Sequence, residues 1–68
     1  MTDSKRLKDV VKASGLKKKF IAERIGVSYR SYLNKENGIS QFYSDEICII
    51  KDLLRLTVQE ATEIFFAS

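Results

Sequence analysis

The chain has 68 residues, enough for one small domain and too few for a large buried core. Apolar residues make up 44%, ordinary for a folded protein, and twelve Lys and Arg against nine Asp and Glu leave a net charge of +3. There is no His and one Cys, Cys48, so the commonest general base, the usual zinc partner, Ser-His and Cys-His nucleophiles and an intrachain disulfide are all missing. No enzyme activity, metal, cofactor or small-molecule substrate is expected. No uninterrupted apolar run exceeds four residues, so no membrane span is expected either, and the cysteine usage suits a reduced cytoplasm.

With no Pro and three Gly, nothing divides the chain, and the apolar spacing is helical almost throughout. Leu7, Val10 and Val11 form the first stripe, with Asp3 or Ser4 as N-cap and Gly15 as the stop. Ile21, Ala22 and Ile25 form the second, closed by Gly26. Ser28 can cap a third helix of roughly Tyr29 to Lys35, ending before an Asn37-Gly38 turn. Ser44, followed by Asp45 and Glu46, suggests the cap of a fourth helix carrying Ile47, Ile50 and Leu54. Thr57 to Glu60 is a capping box, with Leu56 and Ala61 spaced as a hydrophobic staple, and opens a last helix carrying Ala61, Ile64 and Phe65. The expectation is a compact all-α domain of five helices spanning residues 1–68, the last two over about 44–67.

Charge is unevenly divided. Residues 1–35 carry a balance of +7, with ten basic side chains, whereas residues 36–68 carry −4. Such asymmetry suits a basic face for a polyanion and a second half with another task.

The stretch from Lys18 to Gly38 reads KKFIAERIGVSYRSYLNKENG. Ala22 suits a helix crossing where bulk would push the helices apart. Gly26 suits a sharp turn needing positive φ, Val27 the gap beneath it, and Ser28 the cap of the next helix. In these residues and their spacing the chain resembles the helix-turn-helix of the lambda-repressor-like (Cro/CI, XRE) family, especially its small phage members. The ending LTVQEATEIFF resembles the tail of many such proteins, so the likeness covers nearly the whole chain. Four residues depart from the family pattern. Tyr32 stands where an aliphatic residue is usual, so either Tyr32 packs inward with its hydroxyl reaching solvent, or the helix is rotated and Leu33 packs inward. Lys35 and Glu36 replace a common aliphatic site, and Lys17 leaves the second helix without a capping side chain.

The resemblance implies a recognition helix lying in the major groove of double-stranded DNA. Its matching positions are Ser28, Tyr29, Arg30, Leu33 and Asn34. Arg30 could pair bidentately with guanine and Asn34 with adenine, and four residues apart they share a face. Lys18 matches a phosphate-contacting position, with Lys17, Lys19, Lys35 and the amides of the Asn37-Gly38 turn as phosphate neighbours. In the second half, apolar residues exceed what one helix stripe requires, and Ile49, Leu53, Phe65 and Phe66 are candidates for a protein interface. Cys48 reads as a small buried residue. The leading expectation is a sequence-specific transcriptional regulator, a homodimer or a heteromer with a repressor protein. The alternative is an antirepressor that binds a separate phage repressor and alters its operator binding.

Overall fold

A helix leaves four amides free at its start, and here each start is met by a local acceptor or faces solvent. The computed structural model describes residues 1–67 and forms five helices, with no strand among the described residues: α1 (Ser4–Ser14), α2 (Lys18–Ile25), α3 (Tyr29–Glu36), α4 (Ser44–Leu53) and α5 (Val58–Phe65). Asp3 opens α1, its carboxylate accepting from the Arg6 amide at 3.1 Å, and Gly15 closes it in the left-handed region at φ 76°. α2 starts at Lys17 with no side-chain cap. At α5 the capping box is complete: Thr57 Oγ1 accepts from the Glu60 amide at 3.0 Å, and the Glu60 carboxylate accepts from the Thr57 amide at 2.8 Å.

α4 differs from the sequence expectation at its start. Its N-cap is Tyr43, not Ser44, and the Glu46 carboxylate reaches back to the Tyr43 amide at 2.9 Å. Ser44 is the first helical residue, where its hydroxyl cannot meet the amides it would cap. The helix ends in a Schellman turn, in which the Leu56 amide donates to the Lys51 carbonyl and that of Arg55 to Asp52. Arg55 takes the left-handed position at φ 55°, where Gly would be unstrained.

α2 packs on α3 and α4, α4 on α5, and α1 on α3 and α5. The core takes Leu7 and Val11 from α1, Ile21, Ala22 and Ile25 from α2, Tyr32 from α3, Ile50 from α4, and Ala61, Ile64 and Phe65 from α5. Phe42, from the segment before α4, stands edge-on to Tyr32 and Phe65 at ring-centroid distances of 6.1 and 5.2 Å and joins three elements. The Asp3 amide donates to the Ile64 carbonyl at 2.6 Å, tying the N-terminus to α5. No helix among the described residues is long and apolar enough to cross a membrane.

Two expectations for the second half are corrected by packing. Phe65 is 4% exposed and belongs to the core, so it offers no interface. Cys48 is exposed, because it lies opposite Ile50 on α4, on the side away from the core. Ile49 and Leu53 are half-buried against the core, whereas Phe66 is 62% exposed.

Candidate nucleic-acid interface

The unit formed by α2, the Gly26-Val27-Ser28 turn and α3 has the local geometry its sequence suggests. Gly26 sits at φ 82°, with its amide on the Glu23 carbonyl and the Val27 amide on the Ala22 carbonyl. Ser28 is extended, and its hydroxyl accepts from the Ser31 amide at 3.0 Å, which starts α3 cleanly. Val27 is half-buried beneath the turn and Ala22 is buried.

At the free end of α3, Ser28, Tyr29 and Arg30 are exposed, and Arg30 forms no ion pair among the described residues. Leu33 and Asn34 lie further along, both half-buried. The Asn34 carbonyl accepts from the Ile39 amide at 2.9 Å, which folds the following loop back against the helix. Helix-end capping falls to Asn37, whose side-chain amide donates to the Leu33 carbonyl at 2.8 Å.

Tyr32 is the inward residue of α3, fully buried, so the first of the two orientations holds for the ring. Its hydroxyl does not reach solvent. It donates to Glu36 Oε2 at 2.9 Å, and burial, the adjacent Glu36 charge and that hydrogen bond together hold the phenol far above its usual pKa. Glu36 is buried too, and its other oxygen accepts from Lys18 Nζ at 2.8 Å.

Beside it, Lys35 Nζ donates to Glu46 Oε1 at 2.8 Å and to the Gln41 carbonyl at 3.2 Å, with the Tyr43 ring 4.4 Å away. The side chains of Lys35 and Glu46 are 7% and 6% exposed. Every buried side-chain polar atom among the described residues has a partner.

These contacts correct the phosphate set. Lys35 is enclosed and neutralised, so it cannot meet a phosphate. Lys18 is 37% exposed but already shares its charge with Glu36. The Asn37 and Gly38 amides are also occupied, donating to the Leu33 and Lys35 carbonyls. Lys17 and Lys19 remain exposed, and Arg24, which the sequence reading passed over, is exposed on the same helix. The ion pairs did have a signal. Tyr32, Lys35 and Glu36 recur at i, i+3 and i+4, the spacing of a buried face.

No protein-family model, curated protein or solved structure matches the chain.

Proposed function

We propose that the protein is a sequence-specific DNA-binding regulator of the Cro/CI type, without enzyme activity, acting in the cytoplasm with α3 in the major groove. One observation carries the reading: α3 is anchored by buried groups at its C-terminal end, while its capped N-terminal end holds Tyr29 and Arg30 in solvent with Arg30 unpaired. A helix held in that way can enter a groove tip first. Arg30 then reads guanine, Asn34 and Tyr29 flank it, and Lys17, Lys19 and Arg24 take phosphates. One such unit reads few base pairs, so the reading includes pairing through the second half of the chain, with exposed Phe66 and half-buried Ile49 and Leu53 as its candidate residues.

The alternative, binding to a separate repressor, would use the same exposed residue, which supports a protein contact under either reading. Phe66 is a large aromatic in solvent on the half of the chain that is poor in cations. A gel shift with promoter DNA, with and without a neighbouring repressor, separates the two. Under the leading reading the protein alone shifts the fragment and Arg30→Ala loses the specific complex. A shift that depends wholly on the repressor favours the alternative.

A further inference from the structure

The apolar anchorage of α3 is thin. Its sequence YRSYLNKE offers two apolar side chains toward the core, Tyr32 and the half-buried Leu33, and these are adjacent in sequence. Hydrophobic contact is largely non-directional, so these two neighbouring anchors, even with Tyr32 edge-on to Phe42, fix the rotation of the helix only loosely. The directional contacts lie at the other end of α3. Glu36 is held from α2 by Lys18, and Lys35 is held from α4 by Glu46, each at 2.8 Å. The two side chains leave the helix about 100° apart. One pulls toward the start of α2 and the other toward the start of α4.

We infer that these two ion pairs, one buried and one with a buried carboxylate and a half-exposed lysine, are positioning devices, setting the rotation of α3 and so the aim of Tyr29 and Arg30. The inference rests on the DNA-binding reading for its functional consequence but not for its structural content. A rotation of about 20° would carry a side-chain tip roughly 5–6 Å from the helix axis through about 2 Å. Bidentate recognition of a base tolerates roughly 0.5 Å. Loss of either tie therefore degrades sequence reading, while phosphate contacts by flexible lysines persist. A buried ion pair adds little net stability over a well-packed apolar replacement, so a positioning role can be separated from a stabilising one.

Two variants test this. Tyr32→Phe/Glu36→Leu removes the buried acid and its hydroxyl donor together and releases Lys18 to solvent. Lys35→Met/Glu46→Gln removes the second tie, and a Gln at 46 can still accept from the Tyr43 amide. Each is compared with wild type on the duplex that wild type selects from a random pool and on bulk duplex. Amide exchange along α3 is measured without DNA. The specific-to-bulk affinity ratio should fall about tenfold or more in both variants. In the first variant bulk affinity should rise, with a salt dependence steeper by about 0.9, because Lys18 becomes a free cation. A purely stabilising role would not produce tighter bulk binding with poorer discrimination.

A ratio unchanged in either folded variant overturns the inference. If wild type selects no duplex, the DNA reading fails and exchange decides alone. Faster exchange confined to Tyr29 to Glu36 with the melting temperature unchanged then upholds the inference, and a wild-type pattern or faster exchange throughout the chain overturns it. If one variant does not fold, the other decides; if neither folds, the pairs are a stability device and the inference falls.

Discussion

Neutralising phosphates releases counterions, so the salt dependence of DNA binding counts the cations that touch the backbone. The first 35 residues hold ten basic side chains, a number that by itself invites a steep dependence. The structure subtracts from it. Lys18 and Lys35 are paired with Glu36 and Glu46, and Arg6 is paired with Glu63 at 2.7 Å. Beside the α2–α3 unit, Lys17, Lys19, Arg24 and Arg30 form no ion pair among the described residues. Four contacts give a slope of log affinity against log salt of about −3.6, a loss of roughly 150-fold between 50 and 200 mM, whereas six would give a loss of about 10³ or more. Fluorescence anisotropy with a labelled duplex at several salt concentrations measures the slope. Lys17→Ala and Lys19→Ala should each flatten it by about 0.9 and leave sequence preference alone. Lys35→Met, where folded, should leave it unchanged. A wild-type slope of −6 or steeper would bring in cations on another face, such as Lys8 and Lys12 on α1, and refute the assignment. A flatter slope in Lys35→Met would refute the enclosure of that side chain.

Four further outcomes are expected. Glu46→Ala strands the Lys35 ammonium in the core and should cost about 3–5 kcal/mol, enough to unfold much of a small domain, whereas Lys35→Met/Glu46→Gln should melt near wild type. Gly26→Ala should cost about 1–2 kcal/mol from backbone strain alone, since nothing lies within 4 Å of the added carbon, and Arg55→Gly should relieve similar strain; denaturant titration of both checks the signs. Phe65→Asp should unfold the domain, whereas Phe66→Asp should leave the melting temperature unchanged and weaken any self-association seen by sedimentation. Because the Tyr32 pKa is raised in the fold, its contribution is complete below the ordinary phenol value of 10 and is lost as pH rises above it, by about 1.4 kcal/mol per pH unit. Tyr32→Phe should remove that part of the alkaline decline in a pH series of urea melts.

Helix positions were legible because each rests on a local rule. Positive φ at Gly15 and Gly26, the caps at Asp3, Ser28 and Thr57, and the apolar stripes of α1, α2 and α5 follow from residues within a turn of one another. The misreadings come where two groups compete to cap one helix start, or where two distant segments meet. Ser44 has the chemistry of a cap, but Glu46 lies one turn into α4 and reaches Tyr43, so the chain starts its helix one residue earlier than Ser44 would. Phe42 sits in a stretch with no periodicity, and its place between Tyr32 and Phe65 exists only once α3 and α5 are packed.

The candidate site was legible in its exposed part and obscure in its support. Ser28, Tyr29 and Arg30 are where the pattern places them because the start of a capped helix is determined by its own residues. Lys35 reads as a phosphate neighbour because charge is the usual mark of a solvated residue, although Lys35 and Glu36 stand at a common aliphatic site. A small domain has little apolar surface to spare, and its fourth helix packs on both α2 and α5. Half-burial of Ile49 and Leu53 accounts for part of the apolar excess in the second half, and Val58, Phe66 and Cys48 are what packing leaves exposed. The polar side of the same economy falls on α3. Its inner face is Tyr32, Lys35 and Glu36, three side chains with polar tips that can be buried only if each tip is matched. Lys18 and Glu46 supply the matches from outside the helix. Composition thus counts both partners as free charge, and only the packed chain shows that they cancel.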